Sequence, residues 1–221
     1  FQGRGRRIYA DWYARMGAYA PMMVPILERH GLPPELIYVC MIESGYNPDA
    51  VSRAGAVGPW QFMRRTAQGF GLRYDDWVDA RRDPIKSTEA AAKYLKKMHE
   101  RFGSWPLVLA AYNAGDGRVS RAIRRTSSTD FWQLVERGVL PTQATRYVPK
   151  IMVAMVIGQN PARYGFGGVQ PEPALEFTVV PVPGKVDLRR LARRADTAYK
   201  TLTRLNPELK RGYTPPDGQE Y

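Results

Sequence analysis

Residues 34–44, Pro-Glu-Leu-Ile-Tyr-Val-Cys-Met-Ile-Glu-Ser, constrain the fold more than any other stretch of this 221-residue chain. Proline is tolerated in the first turn of a helix, so Pro33-Pro34 opens one, and Gly45 after Ser44 closes it. Leu36, Ile37, Val39, Cys40, Met41 and Ile42 leave that helix apolar on nearly every side, the pattern of a helix enclosed by protein. Leu36, Cys40 and Glu43 fall at i, i+4 and i+7, which sets the Glu43 carboxylate on a face it shares with apolar residues. Burial disfavours the charged form of a carboxylate and biases it towards the protonated acid. Such an acid is what glycosidic cleavage needs as a proton donor. A glutamate at a helix end that swings out to solvent fits this segment alone equally well.

The surrounding sequence reads as further helices separated by strong punctuation. Ile8, Trp12, Met16 and Tyr19 recur at helical spacing, Pro21 marks a break, and Met22, Met23, Ile26 and Leu27 continue to Gly31, placed like the residue that follows a helix C-cap. Asp83-Pro84 pairs an N-cap with proline at the first helical position, and the helix it opens passes Ala91, Leu95 and Met98 towards Phe102-Gly103. Residues 107–112, 130–136 and 147–159 complete a mainly α domain over 4–168. Phe1-Gln2-Gly3 reads as the scar of a cleaved affinity tag, and the end at Tyr221 after Pro215-Pro216-Asp217-Gly218 reads as a truncation. Pro171, Pro173, Pro181 and Pro183 make 169–184 a linker. Residues 177–182 are expected to hold a short strand. In the small appendage over 185–221, Leu188, Leu191, Ala192 and Ala195, then Tyr199, Leu202 and Leu205, predict two short helices.

Two more segments bear on chemistry. Gly45-Tyr46-Asn47-Pro48 turns the chain after Glu43, and Gly55-Ala56-Val57-Gly58-Pro59-Trp60-Gln61-Phe62 follows. Small residues let backbone approach a ligand closely, and Trp60 and Gln61 offer an aromatic face and an amide suited to a sugar. An ordinary turn accounts for the glycines alone. Ala110-Ala111-Tyr112-Asn113-Ala114-Gly115 ends an apolar helix with a phenol and an amide. Gly115-Asp116-Gly117 is no phosphate loop, because neither a preceding strand nor a lysine supports one.

In this order and spacing, Glu43-Ser44-Gly45-Tyr46-Asn47-Pro48, residues 55–62 and Ala111-Tyr112-Asn113-Ala114-Gly115 resemble the motifs of the lytic transglycosylases, cell-wall enzymes with a goose-type lysozyme-like fold. The D type of lytic murein transglycosylase is most similar, with Tyr94-Leu95 and Tyr147-Val148-Pro149-Lys150 as further marks. The resemblance spans roughly residues 8–166. It implies cleavage of the β-1,4 bond between N-acetylmuramic acid and N-acetylglucosamine, with closure of a 1,6-anhydro ring. Glu43 would act as acid and then as base, with the substrate's acetamide stabilising the cationic centre, the substrate-assisted exception to the two-carboxylate rule. By the same transfer, Ser44 would orient Glu43, while Tyr46, Gln61, Tyr112, Asn113 and Tyr147 would position the acid or bind substrate. Phe62 and Gln143 would wall the groove, and Trp60 would be half core and half groove wall. One departure is visible: where such enzymes carry a Glu-Thr pair, this chain has Gln143-Ala144. The neutral amide removes a negative neighbour and leaves Glu43's acidity to depend more on burial. Residues 187–205 with Asn206-Pro207-Glu208-Leu209 and Pro215-Pro216 are similar to a divergent lysin-motif (LysM) module, without the usual strand and Gly-Asp opening. The fold expected is thus a lysozyme-like helical domain with a small α/β LysM-like appendage.

Charge narrows the partner. With 33 Lys+Arg against 21 Asp+Glu, the net charge of +12 suits a polyanion, whether nucleic acid, anionic lipid or acidic glycan. Arg189, Arg190, Arg193 and Arg194 suggest nucleic acid, yet no groove-reading motif accompanies them. A solvated helix face accounts for them better. The reading chosen is peptidoglycan strands in a bacterial periplasm or cell envelope, acted on by a monomer without nucleic acid. Membrane contact would come only through a lipid anchor upstream of this sequence. One cysteine and two histidines are too few for a typical structural zinc site, and no metal or other cofactor is expected. Cys40 reads as a buried structural thiol. A hydrolase of the same fold, like the goose-type lysozymes, differs only in whether water or the sugar 6-hydroxyl attacks.

Overall fold

A computed structural model describes residues 3, 5–182 and 184–216 of the chain. Phe1 and Gln2 of the expected tag scar, Pro183 of the linker, and the end at 217–221 lie outside the described residues. The chain forms helices α1 (Arg6–Arg29), α2 (Ile37–Ser44), α3 (Arg64–Gly69), α4 (Pro84–Phe102), α5 (Trp105–Ala114), α6 (Asp116–Thr126), α7 (Phe131–Glu136) and α8 (Thr142–Gln159). Two short helices follow, α9 (Leu188–Arg194) and α10 (Tyr199–Leu205). Among the described residues β-pairing is limited to isolated bridges. No described helix is long and apolar enough to cross a membrane.

The core forms around the two helices that lack a polar face. In α2, Ile37 to Ile42 are all buried, and in α5 Leu107 to Ala111 are. Helix α5 packs against α4, α6 and α8, while α2 packs against α1 and α8. The expected punctuation explains the ends. Asp83 accepts bonds from the Ile85 and Lys86 amides at the start of α4, which satisfies donors that a helix N-terminus leaves open. Gly45 ends α2 at φ 60°, and a Cβ there would lie 2.1 Å from the Trp12 ring.

Three expectations are corrected. Pro21 does not break the first helix: α1 runs unbroken through Pro21 and Pro25. An internal proline removes an amide donor and crowds the carbonyl four residues back, at a cost of about 3 kcal/mol. Here α1 buries Tyr9, Ala18, Tyr19, Met23, Ile26 and Leu27 and packs along α2 and α4, and that packing outweighs the local rule. The proline-rich stretch is not a free spacer at its start. The Glu172 amide donates to Ala14 O at 2.8 Å and that of Leu175 to Ala18 O at 3.3 Å. Gly17 makes this approach feasible, since a Cβ there would sit 2.5 Å from Glu172 O. Finally, residues 177–182 form no strand, and Phe177, Val179 and Val180 are exposed.

The appendage folds back on the helical domain. Val78 and Leu209 form an antiparallel bridge, the Asp79 amide donates to Glu208 O at 2.8 Å, and that of Lys210 donates to Trp77 O at 2.8 Å. Within it, Asp187 caps α9 and pairs with Tyr213.

Candidate active site

Helix α2 ends in a cavity of about 530 Å³ lined by Ile42, Glu43, Asn113, Thr142, Gln143, Arg146, Tyr147 and Lys150. Glu43 comes from the last turn of α2, Asn113 from the last turn of α5, and the other groups, apart from Ile42, from the first half of α8. Because α5 packs on α8 and α2 on α8, three helices fix the positions of these side chains. Glu43 is the one carboxylate among the lining residues.

Tyr147 donates its hydroxyl to Glu43 Oε1 at 2.6 Å. Burial lifts the Glu43 carboxyl above its ordinary value of 4.5, opposed by the Tyr147 hydrogen bond and the Lys150 charge. The negative end of the α2 dipole works in the same direction as burial. The acid is therefore held in its protonated form to higher pH than a solvated glutamate, while its charged form still has a donor and a cation at hand. Burial also raises the Tyr147 and Tyr112 phenols well above their usual range, with the Glu43 charge adding to it. Both therefore stay neutral beside the acid.

The loop before α3 is fastened to the end of α2, where Ser44 donates to Pro59 O. Val57 bridges to Val51 and to Phe62. Gly58 has φ 83°, and a Cβ there would lie 1.9 Å from Arg81 O. Its small size serves that backbone approach and not a ligand's. Arg81 is buried in a two-bond pair with Asp79, at 2.8 Å each, and its Nη1 donates to Phe62 O at 3.1 Å and Gly55 O at 3.2 Å. Neither Asp79 nor Arg81 stood out in the sequence, yet together they hold the glycine-rich loop in shape.

Several expected site residues take other positions. Trp60 and Phe62 do not wall the groove: both are buried, and Trp60 Nε1 donates to Thr88 Oγ1 at 2.8 Å. Their apolar area is worth more inside the core than against solvent. Tyr46 is also sealed in, its ring stacked on Tyr19 and its hydroxyl donating to Ile37 O at 3.2 Å. Ser44 donates to Pro59 O at 2.7 Å and accepts from the Asn47 amide, so it fastens the loop after Glu43 and not the carboxylate. Gln61 turns its amide to Ala50 O and Gly58 O. Tyr112 stands beside Glu43 but donates to Trp60 O at 2.7 Å. Asn113 and Gln143 do line the cavity, and Asn113 Oδ1 is buried with no hydrogen-bond partner among the described residues. Buried polar atoms are nearly always satisfied by protein or ordered water, so this oxygen at the cavity edge has an acceptor position still open.

Arg146 and Lys150 also line the cavity, Lys150 as the last residue of the quartet that marks the resemblance and Arg146 with no mark in the sequence. Lys150 lies three residues after Tyr147, and residues so spaced share a helix face. Cys40 is buried with its thiol donating to Pro59 O at 3.3 Å, and burial pushes it well above the usual thiol range. It is no nucleophile. A second cavity, of about 360 Å³, lies in the appendage and is lined by Lys185, Arg190, Arg194 and Tyr213 among others. Its carboxylate, Asp187, is already used as the α9 cap.

The chain is similar to known proteins over both of its regions. Residues 25–135 match the Transglycosylase SLT domain, and residues 176–221 match the Lytic transglycosylase MltD, LysM-like domain. Membrane-bound lytic murein transglycosylase D of Escherichia coli (strain K12) is 31% identical, over 99% of this chain and 48% of that protein. Peptidoglycan transglycosylase gp16 of Escherichia phage T7 is 33% identical over 61% of this chain and 10% of that one. The chain thus spans about half the length of the Escherichia coli relative. An inactive mutant of lytic transglycosylase Slt from Pseudomonas aeruginosa superposes with a TM-score of 0.57 at 26% identity, covering 72% of this chain and 26% of that one. The 70 kDa soluble lytic transglycosylase of Escherichia coli shares the fold, with a TM-score of 0.50 at 22% identity over 66% of this chain and 24% of that one. With a family model matched across half its length and the Glu43 cavity at the meeting of α2, α5 and α8, the chain belongs to the transglycosylase SLT domain family.

Proposed function

We propose that this chain cleaves the β-1,4 bond between N-acetylmuramic acid and N-acetylglucosamine in peptidoglycan and leaves a 1,6-anhydro end. The observation that carries the reading is a lone carboxylate, Glu43, raised in pKa by burial and gripped by Tyr147 in a cavity open to a glycan. Glu43 protonates the leaving glycosidic oxygen as the C1–O bond breaks. The substrate's acetamide oxygen stabilises C1. The Glu43 carboxylate then accepts the proton of the 6-hydroxyl, whose oxygen bonds to C1 and closes the ring. One residue serves both steps, which suits a cavity whose lining offers no second carboxylate. Gln143, in place of an acidic residue, leaves burial as the main cause of the raised Glu43 pKa. Asn113 completes the substrate-facing set, while Tyr112, bonded to Trp60 O, stands beside the acid. In this reading residues 4–168 are the catalytic domain, 169–184 the connection and 185–221 a LysM-like module, and the protein works in the bacterial cell envelope. Relatives named as acting on peptidoglycan support the substrate.

Mass spectrometry of the products from purified peptidoglycan tests this. Anhydro-ended muropeptides are expected. Products heavier by one water would assign the chain to the lysozyme-like hydrolases instead.

A further inference from the structure

Lys150 has a support of its own. Its Nζ lies 5.6 Å from the centre of the Trp12 ring, a separation at which an ammonium is attracted to the indole face. The ring is itself pinned to the end of the catalytic helix, because it fills the space where a side chain at Gly45 would lie. One turn further along α1, Arg15 Nη1 donates to Gly45 O at 2.7 Å. Helix α1 therefore grips the residue two places after Glu43 and carries the ring that steadies Lys150. Lys150 and Tyr147 face the same cavity from α8, and Tyr147 holds Glu43.

We propose that Lys150, held over Trp12, is a positioning residue for Glu43 that places a positive charge at the cavity wall for the interval in which the carboxylate is ionised. This rests on the reading of Glu43 as acid and then base, a cycle that leaves it charged between donating one proton and accepting the next. The charged and titratable groups that face Glu43 are Tyr147, Lys150 and Arg146 from α8, Tyr112 from α5 and Cys40 from α2, with Arg15 of α1 at the adjoining carbonyl. Both phenols and the thiol stay neutral. Of the two cations in the cavity, Lys150 is the one held over the Trp12 ring, and its charge favours the ionised Glu43 carboxyl.

Lys150 is exposed, so its substitution leaves the core untouched. The experiment is a carbon-13 carboxyl titration of Glu43, assigned by its disappearance in Glu43→Gln, in the wild type, Lys150→Met, Lys150→Arg and Trp12→Leu. The pH profile of kcat/KM on peptidoglycan is measured in parallel. Removing a cation makes ionisation harder, so the Glu43 midpoint and the basic limb of kcat/KM move to higher pH in Lys150→Met. Lys150→Arg keeps both near the wild-type position, and Trp12→Leu moves both the same way by less. An unmoved midpoint in Lys150→Met, or an arginine variant no better than methionine, overturns the proposal. If the midpoint moves as expected while the wild type fails to cleave peptidoglycan, the electrostatic role stands and the functional reading falls.

Discussion

The helical domain and the appendage at 184–216 are held together by different means. In the domain, α2 and α5 bury every side of their apolar stretches, and Leu95, Leu107, Met41 and Ile151 have essentially no exposed surface. In the appendage the buried apolar positions among the described residues come down to Leu188, Ala192 and Pro215, next to buried polar Glu208 and Thr214. Its fixation comes from directed contacts. Lys185 sits over Trp77 and Tyr213, Arg211 over Trp77, and Lys210 Nζ donates to Asp75 O at 2.7 Å. Apolar burial is not weakened by charge screening, whereas charge contacts near the surface are. Glu43 is carried by the region that rests mainly on buried apolar area.

Core truncation should separate the two regions most sharply. Leu107→Ala is expected to lower stability by about 3 kcal/mol and Leu188→Ala by about 2, since a small, open module relaxes around its cavity more readily. Denaturant melts of both variants check this, and equal losses would remove the distinction. Gly58→Ala comes next. Its φ of 83° and the 1.9 Å approach to Arg81 O predict a loss of about 2 kcal/mol from backbone strain, visible as a lowered thermal midpoint. Arg211→Ala should cost less than about 1 kcal/mol, and the difference from wild type should shrink as salt is raised. A salt-independent loss would mean that packing, not charge, holds the appendage.

The smallest effect concerns pH. Folded Glu43 titrates above 4.5, so through the interval from that value up to its folded one the native state binds more protons than the unfolded state. Stability therefore falls as pH rises across that interval. Glu43→Gln removes this dependence: the variant should match the wild type below the ordinary carboxylate range and exceed it above, by a margin that levels off. Thermal midpoints across pH measure the margin, and a variant less stable at neutral pH would contradict it.

Where local chemistry decides the structure, the residues announced it. The closed apolar pattern of 34–44 placed Glu43 at the end of an enclosed helix, and Asp83-Pro84 and Gly45 marked the ends that form. Where long-range packing decides, they did not. Pro21 breaks a helix by local rules, but α1 continues because it packs along α2 and α4. Helix α6 was hidden by Gly115, Gly117 and its arginines, although Val119 and Ala122 are spaced to bury on one face. Trp60, Phe62 and Tyr46 have the chemistry of sugar-binding residues, and only their neighbours make them core. Lys150 sat within a recognised quartet of residues, but its relation to Glu43 depends on how α8 meets α2. The side chains that touch the acid were thus partly legible, while the Asp79–Arg81 pair that shapes the loop beside it was not.

The account stands on Glu43 serving alone as both acid and base. The rate of peptidoglycan cleavage by Glu43→Gln, measured beside its circular dichroism and melting curve, tests that most directly. A loss of about 10³-fold or more with helical content and melting retained is expected, in line with removal of a general acid–base group. Cleavage within about tenfold of wild type by a folded Glu43→Gln protein would contradict it, because acid–base groups contribute more than that.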